Sequence, residues 1–246
     1  MHWNNRWMAL AGTAAAVISA HSAQASWTLG NGDTLAFTDL FAAGSDRTVF
    51  IDDKKFVFES YASAHFALED ITLVGFISLN GNGYGLRNVG FDLFGGFADL
   101  PGDDRVAEGN LQYSVEVNPD AYKSGLRLCD MRLTFNGGVS GEGSFSRVDE
   151  SVFDLDANQF LGQLSVYNLW GPPPDSRFTD AIDFCDLYPD GFRALEVNKN
   201  FKFFSPTAEG TSSASFIRQE FSQIPAPGAI ALLGLAGAFG SRRRRA

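Results

Sequence analysis

Only one histidine, His65, stands in the body of the chain; the other two of its three histidines, His2 and His21, fall in the first two dozen residues. His65 sits beside Phe66 with no serine or cysteine motif around it. The sequence has no nucleophile elbow, no His-x-x-x-His pair and no glycine loop leading into a helix. Such a histidine is more often a surface or capping residue, so zinc hydrolysis and Ser-His-Asp catalysis lack their parts and no catalytic residue is assigned. Carboxylates alone can hydrolyse glycosides when two are suitably spaced. With 29 acidic residues in the chain, that pattern is not diagnostic. A buried pair of acids in a groove lined by Trp27 or Trp170 would mark such an enzyme, and a filled sandwich without a groove would mark a structural protein. No organic cofactor is expected, and calcium is the one inorganic candidate. Asp154, Asp156 and Asn158 alternate as the ligands opening a calcium loop do, although Gln159 and Ser165 stand where the loop's Gly and Glu would be. Asp99, Asp103 and Asp104 make a second acidic loop around Pro101-Gly102. For both loops the competing reading is turn-forming Asp on a wet rim.

Cys129 and Cys185 are the two cysteines. In an oxidising compartment one disulfide is the natural reading, with two free buried thiols as the alternative. Cys129 lies where the apolar parity of Leu126–Phe135 switches, which predicts a β-bulge or a change of sheet, with the Cys129 side chain turned towards a covering loop. That loop would be the stretch from Gly171-Pro172-Pro173-Pro174 to Tyr188-Pro189-Asp190-Gly191, which contains Cys185 and shows no regular pattern.

The elements around these residues are strands. Leu111, Tyr113, Val115 and Val117 alternate with Gln112, Ser114 and Glu116, as a strand with one wet face requires. Ile71 to Leu79 repeats the alternation, and Phe56/Phe58, Leu195/Val197 and Phe201/Phe203 do so in shorter runs. Asn80-Gly81-Asn82-Gly83 and Asn136-Gly137-Gly138 read as hairpin turns, because both accept positive φ cheaply. Pro101-Gly102-Asp103-Asp104 and Asn118-Pro119-Asp120 read as wider turns, and Thr207–Ser215 as a loop between the last two strands. The fold class is therefore all-β: an antiparallel β-sandwich, jelly-roll-like, of about ten strands with its phenylalanines in the core.

The two ends differ from this middle. Arg6, an apolar run from Trp7 to Ala20 and the small-x-small site Ala23-Gln24-Ala25 form a secretory signal peptide, residues 1–25, cut after Ala25 by signal peptidase. At the other end Gly228 to Gly240 is uncharged and is followed by Arg242, Arg243, Arg244 and Arg245. Thirteen helical residues span about 20 Å, short of a ~30 Å hydrocarbon core. Such a helix holds a chain in a membrane transiently, with the arginines on the cytoplasmic side; an uncleaved C-terminal anchor is the alternative. With Arg6 and those four arginines outside, 14 of the 19 basic residues and all 29 acidic ones lie in residues 26–223, a net charge of −15. That surface repels phosphate backbones and excludes a nucleic-acid partner.

Ile224-Pro225-Ala226-Pro227-Gly228, the Leu/Ala/Gly helix and the terminal arginine cluster together resemble a PEP-CTERM sorting tail, residues 224–246, with Ala226 in place of the motif's central Glu. The middle is similar to exported proteins of that kind in Asp53-Lys54-Lys55-Phe56, Leu126 to Phe135 and Phe221-Ser222-Gln223. The resemblance implies recognition by exosortase-type machinery, delivery to the cell surface or extracellular matrix, and association with extracellular polysaccharide. The expected function is thus an exported structural or matrix-associated protein without enzymatic activity. The alternative is a glycan-binding module or a carboxylate-based glycoside hydrolase on the same scaffold.

Overall fold

The computed structural model describes residues 25–79, 87–123 and 125–225. The expected signal peptide up to Gln24, with Ala23, lies outside the described residues. So do the expected Asn80–Gly83 turn and the tail from Ala226 through Pro227, Gly228 and Arg242 to Arg245. Fifteen strands form two sheets among the described residues. The first runs β1 (Ala25–Leu29), β3 (Ser45–Ile51), β4 (Lys54–Ser63), β7 (Ala107–Val117), β14 (Ala194–Phe204), β10 (Phe145–Asp154), β11 (Gln159–Leu169), β12 (Asp175–Arg177). The second runs β13 (Thr179–Asp183), β8 (Leu126–Phe135), β15 (Thr211–Pro225), β6 (Arg87–Ala98), β5 (Thr72–Leu79), β2 (Thr34–Ala36), with β9 (Gly138–Ser140) also on β15. Two short helices, α1 (Phe37–Leu40) and α2 (Pro119–Lys123), lie in connections.

The alternation behaves as an amphipathic strand must: Leu111, Tyr113, Val115 and Val117 are buried while Gln112, Ser114 and Glu116 are partly exposed. The phenylalanines fill the space between the sheets in two groups. Phe56, Phe58, Phe91 and Phe221 pack at one end, and Phe66, Phe97, Phe201 and Phe203 at the other, with neighbouring ring centroids about 5.4–6.3 Å apart. Burying each such side chain is worth roughly 1.5–3 kcal/mol.

The two-sheet β-sandwich is as expected, and several details differ. The strands outnumber the expected ten because β1, β2, β9, β12 and β13 are only three to five residues long, too short to show a period. The pair β1–β3 is parallel. It can be so because β2 lies in the other sheet, which gives the chain the crossover that parallel neighbours need. Asn136-Gly137-Gly138 makes no hairpin, since β8 and β9 follow one another along the same partner, β15. Asn136 Oδ1 accepts from the backbone N–H groups of Ser215 and Phe216 and so takes the place of a ladder partner. Gly137 is required there because a Cβ would meet the Phe135 ring at 2.1 Å. Asn118 opens α2 rather than a plain turn, its Oδ1 accepting from Asp120 N. The polar Thr211–Ser215 stretch is strand, with Ser212 and Ala214 facing inward. Ile224 and Pro225 also belong to β15, in register with Arg127 and Leu126, so the sheet runs two residues past the boundary set from charge. Ala25 already pairs with Ser45.

Cys129 marks a β-bulge as predicted: Ser222 pairs with Asp130 and Gln223 with Leu128, leaving Cys129 as the extra residue. Cys129 and Cys185 are disulfide-bonded, with Cα atoms 5.2 Å apart. The excursion from 171 to 191 is more ordered than its composition suggests. It carries β12 on the edge of the first sheet and β13 on the edge of the second, so it closes one side of the sandwich. Asp180 Oδ2, on β13, accepts from Ser165 N on β11 and fastens the two edges.

Candidate functional site

The outer face of the first sheet carries polar side chains, several of them amides, in rows set by strand register. Asn110, Asn200, Asp149 and Ser165 lie side by side across β7, β14, β10 and β11, and Gln112, Asn198, Ser151 and Gln163 form the next row. Each alternates with an inward-pointing neighbour, which fixes its direction. Two of the amides are held by the Glu196 carboxylate: Gln112 Nε2 donates to Glu196 Oε1 at 2.8 Å, and Asn198 Nδ2 to the same oxygen at 3.2 Å.

At one end of these rows is a cleft of about 660 Å³. Asn110 and Asn200 lie in it, and the segment from Tyr61 to Leu68 walls it. That wall is rigid for physical reasons. Phe66 is buried among Phe97, Phe201 and Phe203, and its carbonyl accepts from Tyr61 Oη at 2.6 Å. Ser63 Oγ accepts from the N–H groups of both His65 and Phe66. Burial pushes the Tyr61 phenol up to about 12, so it stays a neutral donor. His65 Nδ1 accepts from Glu108 N at 3.3 Å, which leaves the proton of the neutral ring on Nε2. Asn200 is among the residues lining the cleft, and its Oδ1 is buried and receives no hydrogen bond from the protein. A buried acceptor of that kind is left to a donor from outside the protein, water or ligand.

The expected sites fare differently. His65 lines the cleft as a capping residue of its wall. Trp27 is half-buried against the core and Trp170 is 49% exposed, and neither lines the cleft. The buried acids are committed elsewhere: Glu150 to Lys199 at 2.6 Å, Asp92 to Arg218 at 2.7 Å, and Asp99 to Ser205 N at 2.6 Å. None of the three lines the cleft. The calcium candidates Asp154, Asp156 and Asn158 lie together at one turn. These residues shape the β10–β11 turn, in which Asp154 Oδ1 accepts from Asp156 N and Asn158 takes a φ of 51°. The Asp156 carboxylate is engaged by Arg193, whose hydrogen bonds hold it below the usual carboxylate range. Asp103 Oδ1 accepts from Arg105 N, so the Asp99–Asp104 loop is also turn chemistry. The single cluster with metal-like spacing among the described residues, Cys129, Asp183 and Cys185, has both its sulfurs spent in the disulfide.

Sequence reasoning missed Asn110 and Asn200. Their signal was present as an amide at every second position (Asn110, Gln112; Asn198, Asn200), but Lys199 between Val197 and Phe201 hid the strand's parity.

No protein-family model matches the chain, and no curated protein matches it. Among solved structures it is similar to a carbohydrate-binding module, CBM27-1 of Caldicellulosiruptor saccharolyticus, described in complex with mannohexaose. That likeness has 12% identity and a TM-score of 0.30, over 68% of this chain and 90% of that one. It is similar to a family 11 carbohydrate-binding module from Clostridium thermocellum at 12% identity and a TM-score of 0.22, over 80% and 97%. It is also similar to Endoglucanase 3 of Trichoderma harzianum, from family GH12, at 10% identity and a TM-score of 0.23, over 67% and 97%. These scores are too low for the likeness to reach individual residues, and the ligands named there belong to those proteins.

Proposed function

We propose that the β-sandwich is a glycan-binding domain whose cleft, with the amide rows leading from it, takes a neutral polysaccharide. The observation that carries this reading is Asn200 Oδ1, a buried acceptor without a protein donor, set beside Asn110 by the β7–β14 register. Sugar hydroxyls are donors and acceptors in alternation, and side-chain amides offer both. The net charge of −15 over residues 26–223 disfavours an acidic polymer and leaves a neutral one. The cleft itself includes one carboxylate, Glu108, where hydrolysis by the usual route uses two, and the Glu196 carboxylate beside the amide rows is engaged by Gln112 and Asn198, which favours binding over cleavage. Export through the signal peptide, and surface sorting through the tail that resembles a PEP-CTERM signal, complete the proposal and would put the domain where polysaccharide is. The test is a glycan array probed with the chain and with its Asn200→Ala variant: neutral glycans should be retained by the first and weakened in the second. Equal retention by both would remove the cleft from the account.

A further inference from the structure

Two sequence motifs with no part in the cleft meet inside the sandwich. Asp53 and Lys54 lie at the tight β3–β4 turn, where Asp52 takes a φ of 50° and Ile51 pairs with Lys54. Gln223 lies on β15 in the opposite sheet, 169 residues further along the chain from Lys54. Lys54 points between the sheets and is fully buried, and Gln223 is buried with it. The Lys54 amine donates to Asp53 Oδ1 at 2.7 Å and to Gln223 Oε1. Gln223 Nε2 donates to the other oxygen of the same carboxylate, Asp53 Oδ2. Amine, amide carbonyl and amide nitrogen are thus gathered round one carboxylate, with each of its oxygens facing one of the two nitrogens.

We propose that Lys54 and Gln223 are an autocatalytic cross-linking site, forming an isopeptide bond between Lys54 Nζ and Gln223 Cδ with Asp53 as the proton shuttle. The neutral amine attacks the carbonyl carbon and forms the Nζ–Cδ bond, passing one proton to Asp53 Oδ1. Asp53 returns that proton to Nε2 as the Cδ–Nε2 bond breaks, and ammonia leaves. The carboxylate is regenerated, no redox change occurs and no co-reactant is consumed. Burial lowers the Lys54 pKa, which favours the nucleophilic amine. Fixed proximity between the sheets supplies the rest of the driving geometry. Asp53 is 16% exposed, so the site touches solvent at the end from which ammonia can depart. The bond would tie β4 to β15 two residues before the described chain ends at Pro225.

The molecule contains its own control. Lys199 Nζ donates to Gln219 Oε1 at 3.2 Å and pairs with Glu150, which again gives amine, amide and acid. There, however, Gln219 Nε2 donates to the Arg132 carbonyl, so the acid does not reach the leaving nitrogen. That site is expected to stay unlinked. The experiment is tandem mass spectrometry of the whole purified chain after reduction, alkylation and digestion. The expected result is a branched peptide joining Lys54 to Gln223, lighter than its two components together by one ammonia, with Lys199 and Gln219 recovered in separate peptides. Asp53→Asn should abolish the branched peptide while circular dichroism shows the fold intact. Recovery of Lys54 and Gln223 in separate unmodified peptides from the wild-type chain overturns the proposal, whatever the variant does. Persistence of the branch in Asp53→Asn overturns the role of Asp53.

Discussion

Replacing Cys185 by Ser removes the bond between the bulge of β8 and the end of β13, and its cost can be bounded. The cysteines are 56 residues apart, and loop-closure entropy for a ring of that size gives roughly 4 kcal/mol as the ceiling. Other contacts keep the excursion in place. β13 pairs with β8 over five positions, from Thr179↔Thr134 to Asp183↔Asp130. Phe184 is buried, its N–H donates to the Cys129 carbonyl at 2.8 Å, and its ring packs at 5.7 Å on Phe192, which in turn meets Tyr188 at 5.2 Å. The expected cost is therefore about 2–4 kcal/mol. The loosening should concentrate between 171 and 191. Guanidinium denaturation measures the first quantity. Hydrogen exchange measures the second: the Phe184 amide should exchange much faster, and those of β7 and β14 should change only by the global loss of stability. A variant as stable as the wild type, or one whose β7 amides lose protection as much as Phe184, would refute the reasoning.

Three further outcomes follow from the core and the cleft wall. Glu150→Gln leaves Lys199 buried without its counter-charge and should cost about 3–5 kcal/mol, whereas Glu150→Leu combined with Lys199→Met should cost far less; equal costs in denaturation would contradict the pairing. The Tyr61 phenol titrates at about 12 in the fold and near 10 in an unfolded chain, so above roughly pH 10 the unfolded state releases its proton first and stability falls as pH rises. Tyr61→Phe should flatten that alkaline slope in denaturation measured across pH, and an unchanged slope would count against the buried phenol. Gly90→Ala would set a Cβ 1.8 Å from the Gln219 carbonyl in the adjoining strand and should cost at least 1–3 kcal/mol, read as a lower melting temperature.

The strand architecture was legible because alternation is a local property: Leu111 to Val117 declares its two faces without reference to any partner. The bulge at Cys129 was legible for the same reason, as a break in parity, and the disulfide followed from the expectation of an oxidising compartment. What stayed hidden depends on the other sheet. Lys54 and Lys199 occupy inward positions that a hydrophobic pattern reserves for apolar residues, and their burial is made tolerable by Asp53 next door to Lys54 and by Gln223, Glu150 and Gln219, which the fold brings in from elsewhere in the chain. Asn136-Gly137 was misread because the same pair that turns a hairpin can also interrupt a strand, and β15 decides which. The cleft floor escaped notice because Asn110 and Asn200 become neighbours only through the β7–β14 register. Asp156 pairs with Arg193, 37 residues later, a partner that no local pattern announces.

The central claim is that the outer face of the first sheet binds a neutral glycan at Asn110 and Asn200. Isothermal titration of the chain with soluble neutral polysaccharides, alongside Asn110→Ala and Asn200→Ala, tests it most directly. Both side chains point away from the core, so both variants should keep the wild-type melting temperature. The account predicts saturable binding to at least one neutral polymer by the wild-type chain, weakened about tenfold or more in each variant, as loss of one or two ligand hydrogen bonds of ~1 kcal/mol or more would give. Binding that is absent for every neutral polymer, or that both variants retain unchanged, would contradict it.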